Sequence, residues 1–579
     1  MSTVLTFLLF FFIIIIVTIH ILLRPLSQGF IRPLLSPLCT LPGPKPFNYI
    51  WGSVKDIQSN DPGMAHLKWI KEFGNTFVFK GLFSINRLYT HDLRAVSHII
   101  SNPDTFVKAE DYKIGVSKLT GKGLIWAEGD LHKRQRRAMN PAFSTQNVKH
   151  LSNVIWDKAL QLREIWLSQL DEARCATSSD NDIDSGYESA SGPASKAAPS
   201  PPASVNVEGI QWITKFSFDV IGLAGFGHAF NFLQSADGEE GDELLGALQT
   251  ISKSGEKMSF LSTIMLFIPI ARYLPFVPER EHAAVNALST CRRVGGELIA
   301  ARKQQIAEEG EDEDEKRKDL LSHLIRANIS PSVPESMKLT DENVLDQIPT
   351  FLLAGHETTA TSLSWTVAEL ASKPAIQDKL RAEIVAAFPD DSDLEFDSHP
   401  SYDEINALPY LDGVVKEALR LYPTIQFVKR AAAHDNTVIP LSEDITLRDG
   451  SVVREVRLNK GDNIDVPIAG LQRDPKLWGE DALEFNPERW MDGRTSQIRL
   501  PGVVQNLMAF MGGAHGCIGY KFAIAEMKIF LFTLIRSFKV ELERADMEIV
   551  RSSDVFITRP LVKGEFEKGN RLPLKVTAL

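Results

Sequence analysis

The sequence predicts a mainly α-helical protein with a small β-sheet, built as one large domain behind a separate apolar N-terminal segment. Three observations carry that prediction. Apolar residues recur at helical spacing over long stretches, strand-like runs are few and short, and no internal repeat divides the 579 residues. Helical periodicity covers residues 146–170 and returns over 207–225. The longest helix starts after Thr340, an N-cap residue followed by Asp341 and Glu342 in the first turn. It ends near Ser372, where Lys373-Pro374 stops it. Further helices fit 375–388, 410–421 and 518–538, and strands fit 76–83 and 452–463.

Composition is globular, with 44% hydrophobic and 24% charged residues. A net charge of −11 argues against nucleic acid as the main partner, because phosphate binding needs concentrated positive charge. The four cysteines, Cys39, Cys175, Cys291 and Cys517, stand far apart with no CxxC pair. That is no disulfide framework and fits a reducing compartment.

Residues 4–23, VLTFLLFFFIIIIVTIHILL, carry no charge. As a helix they would reach about 30 Å, enough to cross a bilayer. With no basic leader and no A-x-A cleavage pattern, the run reads as an uncleaved anchor. Arg24 and Arg32 follow it and no Lys or Arg precedes it, so the positive-inside rule predicts a cytosolic body. Residues 24–50 form a proline-rich connector ending in Leu41-Pro42-Gly43-Pro44-Lys45-Pro46, and 51–579 the main domain. A Pro/Ser/Ala-rich insertion at about 172–205 is predicted to be disordered, and 308–318 is a solvated charge run.

Four motifs carry chemistry. The first is Phe510-Met-Gly-Gly513-Ala-His515-Gly-Cys517-Ile-Gly519, with a helix after it. A lone cysteine is usually a small buried residue. Here glycines at 513 and 516 permit a tight turn that aims backbone N–H groups at sulfur, and Gly519 lets the next helix start close by. A thiolate so held can bind haem iron and favour O–O cleavage. The second is Glu417-Ala-Leu-Arg420, one helix face at i,i+3, with Phe485-Asn486-Pro487-Glu488-Arg489-Trp490 further on. The third is Ala354-Gly355-His356-Glu357-Thr358-Thr359, midway along the longest helix, and the fourth is Gly129-Asp-Leu-His132-Lys-Arg-Gln-Arg136-Arg137.

The first motif resembles the F-x-x-G-x-R-x-C-x-G haem loop of cytochrome P450 enzymes, with His515 where arginine is usual. The other three resemble motifs of that family in its order, so the resemblance covers nearly the whole chain from Leu41 onward. It is to the membrane-anchored, eukaryotic microsomal type, with a fungal cast. It implies haem b on Cys517 as axial ligand, with Phe510, Gly513 and Gly519 shaping the loop. His132, Arg136, Arg430 and His515 would meet the haem propionates, His515 as a weaker, titratable contact. Glu417, Arg420 and Arg489 would lock the core beneath the loop. Gly355 would let dioxygen approach the helix backbone, while Thr358 and Glu357 would serve oxygen activation, one by hydrogen bonding and the other by relaying protons. His356 stands at a variable position and reads as a non-ligand.

The same resemblance implies a monooxygenase using O2 and electrons from NADPH through a separate NADPH–cytochrome P450 reductase. Lys133, Arg134, Arg137, Lys521 and Lys528 are the basic residues that would face it. Leu353, Ala354, Ile425, Phe427 and Phe556 are pocket residues by position. With the apolar stretch 258–277 they suggest a lipophilic small molecule drawn from the lipid bilayer, such as a terpenoid or fatty acyl compound. The expected location is the endoplasmic reticulum membrane, single-pass. Two other functions stay open: a haem-thiolate isomerase or dehydratase that needs no O2, and a non-catalytic haem-binding protein.

Overall fold

The computed structural model describes residues 35–59, 64–181, 203–235, 243–256, 279–309, 318–329, 334–390, 398–552 and 557–579. The anchor at 4–23, the apolar stretch 258–277, Phe556, and most of the insertion and of the charge run lie outside the described residues. Among those residues no helix is long and apolar enough to cross a membrane.

Seven helices position the site: α1 (Gly129–Met139), α2 (Thr145–Asn181), α3 (Gly209–Phe226), α4 (Gln347–Ser372), α5 (Pro374–Ala387), α6 (Pro409–Leu421) and α7 (Tyr520–Ser537). Among the described residues strand content is small but split over four sheets rather than one. The largest holds β1 (Thr76–Lys80), β2 (Asn86–Thr90), β3 (Phe106–Lys108), β5 (Phe427–Ala432) and β8 (Asn463–Pro467), in the order β1-β2-β8-β5-β3. Only β2 and β8 pair in parallel, Leu88 opposite Ile464. A second sheet joins β4 (Ser204–Glu208), β12 (Pro573–Ala578) and β9 (Phe538–Leu542). β6 (Thr437–Thr446) with β7 (Val452–Leu458), and β10 (Ile549–Arg551) with β11 (Pro560–Val562), form two-stranded ribbons.

Several boundaries differ from the sequence reading, the strands expected at 76–83 and 452–463 stopping at Lys80 and Leu458. The Thr340 hydroxyl accepts from Asn343 N–H at 3.1 Å as a cap should, yet the helix it opens is only Asp341–Leu345. Pro349 accounts for the break at Asp346: its ring nitrogen has no hydrogen to donate to the Leu345 carbonyl. Helix α2 runs past Leu170 to Asn181, because its added residues are polar but include neither proline nor glycine. Residues 172–181 are therefore helical, and Val205 pairs with Val576 in β4, so the insertion is narrower at both ends. The connector joins the body from Ser36 onward. Leu38 and Leu41 are buried, Val78 N–H donates to the Pro42 carbonyl at 2.9 Å, and a Cβ on Gly43 would fall 1.8 Å from the Val78 carbonyl oxygen.

The core sits where α7 packs against α2, α4, α5 and α6, while α3 lies along α4. Phe216 of α3 meets Phe530 of α7 at 4.9 Å between ring centroids, and Trp156 of α2 meets Phe532 at 5.5 Å. Each such fully buried aromatic contributes on the order of 1.5–3 kcal/mol. Gly355 serves this packing. A Cβ there would come within 2.7 Å of the Ile221 side chain, so its small size brings α3 and α4 together.

Candidate active site

The cysteine loop is a chain of tight turns between a 3-10 turn at Met508–Phe510 and helix α7. Cys517 N–H donates to the Phe510 carbonyl at 2.8 Å, and Gly516 N–H to the Gly513 carbonyl at 3.1 Å. Gly513 is required twice over: its φ is +67°, and a Cβ would lie 2.7 Å from the Ile100 carbonyl oxygen. Gly519 is not required in this way, since its Cβ would meet only the Phe143 ring, at an ordinary 3.6 Å. The loop leaves the Cys517 thiol accessible. The thiol nevertheless lies deep among protein atoms, which pushes it up, while the Gly519 N–H and the Arg136 charge pull it down. Both opposing groups favour the thiolate.

Around the thiol stands a basic cluster. Arg136 of α1 donates to the Gly516 carbonyl at 2.6 Å and thereby ties α1 to the loop. Arg430 of β5 is buried, and its donors reach only the Lys429 carbonyl at 3.2 Å and the Met511 sulfur at 3.7 Å. Neither arginine has an ion-pair partner among the described residues. His132 is buried too, with its ring edge-on to His515 at 4.4 Å. Burial, then the His515 ring, push the His132 imidazole down to about 3, so it is a neutral donor or acceptor at working pH.

His515 has a partner within the protein. Its Nε2 lies 3.3 Å from a carboxylate oxygen of Glu128, the residue that opens α1. Burial holds its imidazole below the usual histidine range, and the Glu128 contact opposes this without overcoming it. Glu128 also accepts from Lys108 N–H at 2.6 Å, and Lys108 Nζ donates to the Leu124 and Ala127 carbonyls. Sequence reasoning missed Glu128 and Lys108. Only the acid's place just before the basic run could have signalled it.

On α4, Thr358 Oγ1 donates to the Ala354 carbonyl at 2.7 Å. Nearly every residue of this helix is buried. Before its last residue the exceptions are Leu353, Ala354, Gly355 and Thr358, a partly accessible strip in the middle of a core helix. Glu357 points elsewhere: Arg559 donates to its Oε2 at 2.6 Å, and His356 Nε2 lies 3.6 Å from its Oε1. His356 is buried, bonded through Nδ1 to the Leu352 carbonyl at 2.6 Å. Arg559, just before β11, carried no sequence signal.

The Glu417 cluster is closed and fully buried. Arg420 donates to both Glu417 oxygens, at 2.9 and 2.8 Å, and Arg489 Nε to one of them at 3.1 Å. Trp490 Nε1 and Asn486 N–H, both at 3.0 Å, complete the carboxylate. Asp481, also missed, takes Arg489 at 3.0 Å and is pulled down to about 2, burial opposing the arginine and Asn486 contacts. Gln472 bonds the Arg420 carbonyl at 3.0 Å and accepts from Ala509 N–H at 2.9 Å, which connects the cluster to the cysteine loop.

The remaining expectations divide. Leu353, Ala354, Ile425 and Phe427 all keep accessible surface, and Phe427 also packs on His66 at 4.9 Å in the aromatic cluster of the large sheet. Lys133 and Arg137 are exposed, and Arg134 and Lys521 half-buried. Lys528 leaves the basic face altogether, being buried at 2% exposure and paired with Asp412 at 2.8 Å.

Among the described residues no group of three His, Cys, Asp or Glu gathers to hold a metal ion. What Cys517 offers is one soft ligand, with arginine donors beside it, Arg430 buried and Arg136 partly so, that lack carboxylate ion-pair partners among the described residues. That fits a metal already held by an acidic macrocycle, and it defines the class as haem-thiolate proteins. The comparisons agree. Residues 194–563 match the family model described as Cytochrome P450. Cytochrome P450 monooxygenase 128 of Postia placenta is 38% identical over 559 residues, covering 95% of this chain and 94% of the relative. Cytochrome P450 monooxygenase 205 of the same fungus is 37% identical over 551 residues, 94% of each chain. Cytochrome P450 monooxygenase claQ of Ampulloclitocybe clavipes is 30% identical over 543 residues, 93% of this chain and 92% of the relative. This chain belongs to the cytochrome P450 family: it is a monooxygenase of the fungal type, and its cofactor is haem on a cysteine thiolate.

Proposed function

We propose that this chain inserts one oxygen atom into a lipophilic small molecule drawn from the bilayer, with Cys517 as the haem ligand. The carrying observation is an accessible thiol on a glycine-built loop, with an accessible strip at Leu353, Ala354 and Thr358 on α4, against which α7 packs. Arg136, Arg430 and His132 would hold the haem propionates, the two arginines as charged donors and His132 as a neutral one. His515 stays with Glu128 and braces that wall. When bound, the haem supplies reductive activation of dioxygen, one oxygen atom entering a substrate C–H bond and the other leaving as water. Thr358 Oγ1 would turn from the Ala354 carbonyl to donate a hydrogen bond there, and Glu357 would relay to it protons taken up from solvent once its contact with Arg559 opens.

Electrons come from NADPH through NADPH–cytochrome P450 reductase, docked on Lys133, Arg134, Arg137 and Lys521. Residues 4–23 anchor the protein in the endoplasmic reticulum membrane as a single pass, with the haem domain in the cytosol and the insertion beyond α2 as a polar surface loop. Ile425 lines the pocket with Leu353 and Ala354, and Phe556 joins them by its place in the sequence. The test is reconstitution of the full chain with that reductase in vesicles, under isotopically labelled dioxygen, against a library of terpenoid and fatty acyl compounds. The expected product gains one labelled oxygen only when NADPH is present, and the protein resists alkaline carbonate extraction. Conversion without NADPH and dioxygen would move the chain to the rearrangement reading. Release by carbonate would remove the anchor.

A further inference from the structure

Glu526 lies in α7 at 1% exposure. Its Oε1 is 2.6 Å from Ser217 Oγ of α3. The same Ser217 Oγ lies 3.2 Å from the carbonyl oxygen of His356 in α4. Ser217 is itself fully buried. A hydroxyl has one hydrogen to give. Were Glu526 a carboxylate, Ser217 would donate to it, and the His356 carbonyl would lose its extra donor. With a proton on Glu526 the chain closes. Glu526 then donates to Ser217 Oγ, and Ser217 donates to the His356 carbonyl. Only the protonated form satisfies both contacts.

The surroundings agree. Among the described residues no cation pairs with Glu526: Lys528 on the same helix is held by Asp412, and Lys158 of α2 by Gln161. Burial pushes the Glu526 carboxyl up to about 8, against the Ser217 contact. A side-chain donor on a helical carbonyl tilts it outward and loosens the turn beyond it. That turn carries Glu357 and Thr358.

We propose that Glu526, as a neutral carboxylic acid, and Ser217 form a strut through the core that positions the Glu357-Thr358 turn of α4. The proposal rests on the reading of Thr358 given above. Both are positioning residues, so the test reads the site without turnover. The full-length holoprotein, reduced and carrying carbon monoxide, is measured by infrared spectroscopy for the C–O band and for a protonated-carboxyl band. Wild type should show the carboxyl band and Glu526→Gln should lose it. Ser217→Ala and Glu526→Ala should shift or split the C–O band in the sense that Thr358→Ala does. Glu526→Gln, whose amide still donates to Ser217, should leave that band in place. Unmoved C–O bands in Ser217→Ala and Glu526→Ala, beside a shifted Thr358→Ala, would overturn the strut and spare the reading of Thr358. An unmoved band in Thr358→Ala would overturn both. Should Glu526→Ala fail to fold, Ser217→Ala decides.

Discussion

Every oxygen of Glu417 is already committed: Oε1 accepts from Arg420, Arg489 and Asn486, and Oε2 from Arg420 and Trp490. Removing the charge leaves two guanidiniums buried without it, since Arg420 and Arg489 are 0% and 1% exposed. Glu417→Gln should therefore destabilise the fold by about 3–5 kcal/mol and lower haem content, read by denaturant unfolding and by haem absorbance per chain. A loss below about 1 kcal/mol would mean the cluster relaxes around an amide. At this scale the sequence was informative wherever chemistry forces a residue type at a fixed spacing. The Glu417–Arg420 pair is of that kind, its i,i+3 spacing giving the two-point contact found. Glu128, Gln472 and Arg559 were not legible, because each acts across segments far apart in the chain, whereas Asp481 lies close in sequence to its partner Arg489 but stands in no motif that marks it. His515 shows the same limit, since a departure from a motif does not say which new partner the residue takes.

Elements were read well where periodicity is strong and where punctuation is local. Lys373-Pro374 ends α4 as the sequence indicates, while α5 opens at Pro374, one residue before the expected start. The break at Asp346 was missed although Pro349 was visible, because helical periodicity continues through the proline. The four-sheet arrangement could not be read from short strand-like runs, since pairings such as β2 with β8 are fixed by long-range packing. The cysteine loop makes a prediction at this scale. Gly513→Ala must strain a left-handed backbone, costing on the order of 1–3 kcal/mol, and also meets the Ile100 carbonyl. It should cut haem content severely while Gly519→Ala, which meets only Phe143 at an ordinary distance, retains it. Equal haem content in the two variants would contradict this account of the loop.

Across the whole molecule, one core joins the two sides of the site. Helix α7, which follows Cys517, packs on α4, which carries Thr358, and α6 ties both to the Glu417 cluster. The segment from Ser36 is already part of this body, with Leu38 and Leu41 in its core. Only one of the four cysteines is placed for ligation. Cys39 and Cys175 are exposed outside the site, and burial pushes the Cys291 thiol up to about 12. The central claim, that Cys517 holds the haem as a thiolate, is tested most directly by the absorbance spectrum of the reduced, carbon monoxide-bound protein. The full-length wild type should show the red-shifted Soret band of a thiolate-ligated haem, and Cys517→Ser should lose it while keeping its helical circular dichroism. A histidine-type band in the wild type, or a thiolate band that survives Cys517→Ser, would contradict the account.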